Sequence, residues 1–188
     1  MLVIIVGLYS ALTYNRNLVW KDGLSLWKDN IRKSPNKARP YNSRGVAYAS
    51  LGSLDLAIND FTKAVEISPT YTEAYNNRGV AYASKGDLDR AILDFNCAIQ
   101  IKPNYAEAYY NRGNAYYQKV NYDRAIDDFT VAIKINPDYA EAYGNRAIAH
   151  YYKGQYNESW EDVEKTIELD GKVHPEFLKA LKKESSKK

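Results

Sequence analysis

The chain reads as an all-α solenoid of stacked antiparallel helix pairs, on three grounds. Residues 72–105, TEAYNNRGVAYASKGDLDRAILDFNCAIQIKPNY, and residues 106–139, AEAYYNRGNAYYQKVNYDRAIDDFTVAIKINPDY, are copies of one phrase, and looser copies occupy 38–71 and 140–173. Pro35, Pro69, Pro103 and Pro137 keep a constant spacing of 34 residues. Within each copy the small and apolar residues fall on two separate helical stripes. A fixed period of this length signals stacked supersecondary units rather than one globular core.

Each copy is counted from Ala38, Thr72, Ala106 or Ala140. Position 4 is always Tyr: Tyr41, Tyr75, Tyr109 and Tyr143. Position 8 is Gly45, Gly79, Gly113, then Ala147, and position 11 is Tyr48, Tyr82, Tyr116, then His150. The spacing 4-8-11 is i, i+4, i+7, one face of a first helix, A. A second stripe at positions 17, 20, 24 and 27 gives helix B: Leu54-Ala57-Phe61-Ala64, Leu88-Ala91-Phe95-Ala98 and Tyr122-Ala125-Phe129-Ala132. Gly52, Gly86 and Gly154 stand between the stripes, the natural left-handed residues after a helix. The proline closes helix B. Small residues at positions 8 and 20 are expected to let the two helices approach, with the aromatics of positions 4, 11 and 24 around them. Such a pair cannot bury both of its faces alone, so neighbours must stack.

These positions carry the tetratricopeptide (TPR) signature, and the chain resembles that family over residues 38–173. The resemblance implies a right-handed superhelical solenoid whose concave groove is lined by A helices at positions 2, 5, 6, 9, 12 and 13. Two departures stand out. Val120 occupies the turn position where Gly is expected, so Asn121 is expected to take the left-handed conformation. The last copy carries Ala147, His150, Ser159 and Val163, as a worn terminal copy would.

The ends differ from the copies. Residues 1–14, MLVIIVGLYSALTY, are uncharged and mostly apolar, shorter than the roughly 20 residues of a comfortable membrane span. Three readings stand open: the tail of a membrane helix, a poor signal-anchor, or an N-terminal cap helix. As a membrane tether it would leave the repeats in a soluble compartment, and Arg16, Lys21 and Lys28 downstream favour the cytoplasmic side. Without a tether the chain is expected in the cytoplasm. Residues 15–37 hold a degenerate half repeat, since Trp20, Gly23, Trp27 and Ile31 fall 34 residues before Leu54, Ala57, Phe61 and Val65. The stretch Thr13-x-x-Arg16-Asn17-x-x-Trp20-x-Asp22, running to Pro35, also resembles the junction between membrane span and repeats in polytopic membrane TPR proteins, including O-mannosyltransferase-like ones. Residues 174–188 begin with His174-Pro175-Glu176 and place Phe177 and Leu181 as a further helix A would. They read as a capping helix with a basic tail.

Composition limits the chemistry. A net charge of +3, with 26 basic and 23 acidic residues interspersed, is too mild to point to nucleic acid. Cys97, the only cysteine, allows no internal disulfide and no Cys-based zinc site. No Walker loop, G-x-S-x-G, H-E-x-x-H or G-x-G-x-x-G occurs, and His150 and His174 are the only histidines. His150 replaces a core Tyr and reads as a packing residue. No catalytic residue, cofactor or metal is expected, and the chain reads as a non-enzyme.

One charge pattern recurs in every copy. Position 7 is Arg44, Arg78, Arg112 and Arg146, and position 23 is Asp60, Asp94, Asp128 and Asp162. Positions 7 and 23 meet across an antiparallel pair, which predicts Arg–Asp pairs that fix register more than they add net stability. An Arg row open to acidic ligands is the alternative.

The groove positions carry the functional expectation. Position 6 is Ser43, Asn77, Asn111 and Asn145, a row able to donate to and accept from an extended peptide backbone. It resembles the asparagine ladder of the O-GlcNAc transferase repeats. Neighbouring groove positions are small and smooth in the first two copies, with Asn76 among them, and richer in the last two, with Tyr110, Asn114, Tyr117, Tyr151 and Tyr152. Tyrosines of this kind supply rigid contact area at low entropic cost, so the binding hot spot is expected there. Position 2, as Arg39, Glu73, Glu107 and Glu141, disfavours a binder of C-terminal carboxylates. The expected function is a protein–protein interaction scaffold for an extended peptide segment. Two alternatives stand beside it: a substrate-recognition or spacer domain of a larger membrane glycosyltransferase-like protein, and a weak self-association module.

Overall fold

A computed structural model describes residues 23–186. The expectations for residues 1–14, for Trp20 and for the membrane-junction stretch up to Asp22 lie outside the described residues. Residues 23–33 are helical (α1). Nine helices follow: α2 Ala38–Ser50, α3 Leu54–Ile67, α4 Thr72–Ser84, α5 Leu88–Ile101, α6 Ala106–Gln118, α7 Tyr122–Ile135, α8 Ala140–Tyr152, α9 Tyr156–Glu168 and α10 Pro175–Ser185. No strand occurs among the described residues. The fold is of the all-α solenoid class, helix pair after helix pair. None of the described helices is long and apolar enough to cross a membrane.

The ends of the helices follow from local chemistry. After α2 the Gly52 amide donates to the Ala49 carbonyl at 2.9 Å and the Ser53 amide to the Tyr48 carbonyl at 2.9 Å. This double bond pattern closes a helix through a left-handed residue, and Gly52 sits at φ 75°. After α6 the same bonds run from Val120 to Tyr117 and from Asn121 to Tyr116, both at 2.9 Å. Here Val120 itself takes φ 59°, which corrects the expectation placed on Asn121. Asn121 instead caps α7, its side chain accepting from the Arg124 amide at 3.2 Å. The turn geometry demands the left-handed residue at a fixed place, and a poor residue type does not move it. At the end of α9 the Gly171 amide donates to the Thr166 carbonyl at 2.8 Å, with Asp170 at φ 56°. No proline stands there, so a helix cap replaces the proline turn that ends α3, α5 and α7.

The described residues form two compact bodies, one up to Lys85 and one from Gly86. In the first, α3 packs between α2 and α4. Ala57 and Phe61 meet Ala81 with Tyr48 and Leu54 around them, while Ala64 and Val65 meet Ala74 with Tyr41, Tyr71 and Tyr75. In the second, α5 to α10 pack each on the next. Ala147, Val163 and Leu181 form its C-terminal core with Tyr151, Tyr156, Trp160, Val173, Phe177 and Leu178.

The close approach at position 8 has a different partner from the one expected. A Cβ built on Gly45 would lie 2.6 Å from the Phe61 ring, and one on Gly113 would lie 2.7 Å from the Phe129 ring. The glycine makes room for the position-24 phenylalanine rather than for the alanine at position 20. The last copy shows the complement: Val163 replaces the ring, and Ala147 fits at 0% exposure. Each buried phenylalanine contributes on the order of 2–3 kcal/mol by its burial. Ser159, buried at position 20, donates to the Ala147 carbonyl at 2.8 Å, which satisfies its hydroxyl.

Candidate functional site

The recurring Arg and Asp residues are internal partners. Arg44 donates from Nε and Nη2 to the two carboxylate oxygens of Asp60, both at 2.7 Å. Arg112 grips Asp128 in the same way at 2.8 and 2.6 Å, and Arg146 grips Asp162 at 2.8 and 2.7 Å. The third nitrogen, Nη1, reaches the preceding copy: Arg78 donates to Thr62 at 3.1 Å, Arg112 to Asn96 at 2.6 Å and Arg146 to Thr130 at 2.9 Å. Each guanidinium also lies over the Tyr three residues earlier, as Arg112 does over Tyr109 at 5.4 Å. Arg112 and Arg146 thus each tie helix A to helix B of their own copy and to helix B of the copy before. Hydrogen bonds to Asp128 raise Arg112 above its ordinary value. Asp128 is raised too, because burial outweighs the pull of the guanidinium. The two-pronged geometry is that of an ionised pair, and we read it as ionised.

Sequence reasoning missed position 25. Thr62, Asn96 and Thr130 recur in phase there, and that periodic acceptor was the available signal. It also missed Lys85–Asp55, Lys119–Asp89 and Lys153–Asp123, exposed ion pairs that link adjacent copies. Exposed pairs of this kind are worth about 0–1 kcal/mol each.

On the A helices, the expected groove residues are bonded sideways. In the first body, Asn77 donates to Asn42 Oδ1 at 3.1 Å, from α4 to α2. In the second body, Asn145 of α8 donates both amide protons to α6, to Tyr110 Oη at 3.1 Å and to Asn114 Oδ1 at 2.7 Å. Asn111 is half-buried on the same helix. Asn76 is only 1% exposed, so it serves packing rather than an open row.

The tyrosines divide. Tyr117 has Tyr122 at 5.6 Å and Tyr152 at 6.1 Å, and Tyr122 and Tyr152 stack nearly parallel with centroids 5.4 Å apart. Tyr152 is 56% exposed. Burial, then the Tyr152 phenol and its hydrogen bond, then Tyr122, push the Tyr117 phenol up to about 12. Tyr151 turns to the cap, meeting the Phe177 ring edge-on at 5.6 Å and Tyr156 at 5.7 Å. Tyr122 starts a helix B and was read only as core, so its place in the aromatic cluster was not anticipated.

A cavity of about 460 Å³ opens between α6, α8, α9 and α10, lined by Tyr110, Glu141, Asn145, Ile148, Asp170 and Phe177 among others. A smaller one of about 80 Å³ lies between Tyr117, Asn145 and Ile148. Among the described residues no group of three His, Cys, Asp or Glu side chains could hold a metal. His150 packs with its Nδ1 2.9 Å from Gln155 Oε1 and its Nε2 3.9 Å from Asp162 Oδ2.

Helix pairs of this length, repeat and packing define a class, and the sequence comparisons agree. A TPR repeat model matches residues 45–86 and 81–120, and a tetratricopeptide repeat model matches residues 106–139. The chain belongs to the tetratricopeptide-repeat family. Among solved structures it is similar to MamA, with 26% identity and a TM-score of 0.75, covering 84% of this chain and 92% of that one. The first TPR of Spaghetti (RPAP3), solved with the HSP90 peptide SRMEEVD, is 26% identical with a TM-score of 0.61, covering 62% of this chain and 92% of that one. YrrB, described as a TPR protein with an unusual peptide-binding site, shares 18% identity and the fold at a TM-score of 0.67, over 85% of this chain and 82% of its own. No curated protein matches the sequence. Neither family-model match reaches the stretch at 13–35.

Proposed function

We propose that the protein is an interaction scaffold that holds an extended peptide segment of a partner against the A-helix face of its second body. The observation that carries this reading is the α6–α8 surface. Tyr110, Asn114 and Asn145 are cross-bonded there into a rigid row. The Tyr117–Tyr122–Tyr152 cluster stands beside it with Tyr152 exposed. Ordering these side chains before binding lowers the entropy that a partner must overcome. Asn145 has spent both amide protons, so it meets a peptide only as an acceptor, whereas Tyr110 keeps its hydroxyl proton as a donor. The peptide complex of the RPAP3 repeats and the peptide-binding site ascribed to YrrB support the same use of this fold.

The test is a peptide array probed with the full chain and with its Tyr117→Ala variant. Loss of about tenfold or more in retention, with melting unchanged, is the expected result for a hot-spot aromatic. Equal retention by the variant overturns the placement of the site. Tyr151→Ala is the wrong probe, since Tyr151 braces the cap.

A further inference from the structure

The 460 Å³ cavity of the second body has walls and a mouth of different character. Ile148, Val173 and Phe177 make an apolar wall. Among the polar groups around it, Glu141, Asp170, Asn145 and Thr166 offer acceptors, against donors on the Tyr110 hydroxyl, Lys172 and the His174 ring. Asn145 commits both of its amide protons to α6, which leaves its side chain only the acceptor Oδ1 to offer a ligand. Glu141 and Asp170 line the cavity as carboxylates and are exposed, against one ammonium, Lys172. Thr166 has given its proton to the Asp162 carbonyl at 2.7 Å. His174 is held through Nδ1, which accepts from the Glu176 amide at the start of α10. The Tyr110 and Tyr139 rings meet 4.8 Å apart beside it, and burial, then Tyr110, then the Glu107 and Glu141 carboxylates push the Tyr139 phenol up. Acceptors, carboxylates and an aromatic face around an apolar slot are what a long cationic side chain requires.

We propose that this cavity takes a Lys or Arg side chain of the bound segment. Its methylene stem lies along Ile148, Val173 and Phe177, and its charged head sits among Glu141, Asp170 and the Oδ1 of Asn145. The proposal rests on the peptide-groove reading and names the chemistry of the partner. The preferred segment is basic, opposite in sign to the peptide SRMEEVD carried by the RPAP3 repeats.

The experiment uses the full chain and a decapeptide library whose central residue is fixed as Lys, Arg, citrulline, norleucine or Glu. The Lys and Arg sets are expected to be retained about tenfold more than citrulline or norleucine, the scale of a charge-assisted hydrogen bond. E141Q/D170N keeps side-chain size and the Asn tolerance for a left-handed backbone. It is expected to erase that preference while leaving the citrulline and norleucine sets as they were. Equal retention of all sets, or a preference that survives E141Q/D170N, overturns the cationic pocket and leaves the groove reading standing. No retention of any set overturns both.

Discussion

Single residues show where this chain meets the demands of its fold and where it pays for missing them. Val120 holds φ 59°, a conformation that costs an L-residue with a branched Cβ about 1–2 kcal/mol. Val120→Gly is therefore expected to raise stability by about 1 kcal/mol in urea denaturation, since the side chain is 67% exposed and little packing is lost. An unchanged midpoint would mean the strain is relieved elsewhere. Arg112 is the opposite case. Arg112→Leu leaves Asp128 buried without its partner and is expected to cost about 3 kcal/mol, whereas Arg112→Leu with Asp128→Leu recovers most of the loss. The pH dependence follows from the sign of the shift. Asp128 already stands above its ordinary value through burial, and removal of Arg112 raises it further. A raised carboxylate contributes stability that is present below about pH 4 and lost as pH rises through the folded value. The deficit of Arg112→Leu should thus shrink on acidification toward about pH 4, as thermal melts against the parent protein would show. The Arg–Asp pairing was legible because both residues recur in phase. The third arm to Thr62, Asn96 and Thr130 was harder to read: those acceptors also recur in phase, but the pairing runs between copies, and the order of residues within one copy does not show which side chains of the next copy lie beside it.

At the scale of the element, helix starts and stops were readable because turn chemistry is local. Gly52, the prolines and the tyrosine spacing fix the ends of α2 to α8 without reference to the rest of the chain. What depended on packing was harder to read. Gly113 was expected opposite an alanine and lies instead under the Phe129 ring. Tyr151, expected in the groove, meets Phe177 of α10 as well as Tyr152 of the aromatic cluster. Helix α10 itself is held by Leu181, 0% exposed against Ala147 and Val163, and by the Trp160 indole N–H, which donates to Ser185 at 3.2 Å. Leu181→Ala removes a buried side chain from that contact and is expected to cost about 3 kcal/mol. The loss should be local before it is global. Trp160 emission is expected to shift to the red at a denaturant concentration below the loss of helical signal, and coincident transitions would show that the cap unfolds only with its neighbours.

At the scale of the molecule, the repeat pattern foretold a stack but not how stability is shared along it. In the second body each helix packs chiefly on its chain neighbours, so α6 and α7 are covered from both sides while α10 rests on α9 and on the Ala147–Tyr151 stretch of α8. In stacks of this kind stability is close to a sum of unit and interface terms. Opening therefore begins where one interface is missing. Helices α6 and α7 hold inter-copy ties through the side chains of Arg112, Arg146 and Asn145, whereas α10 is held by the apolar contacts of Leu181, Phe177 and Leu178 and by the Trp160 bond. Native-state hydrogen exchange is expected to rank α10 fastest, α8 and α9 next, and α6 and α7 slowest. Leu181→Ala should then speed α8 and α9 without moving α6 and α7. If α10 exchanges as slowly as α7, the body opens as one cooperative block. The cavity beside α10 would then be as rigid as the core, rather than seated at the softest interface of the body, where a bound peptide would gain most by slowing exchange.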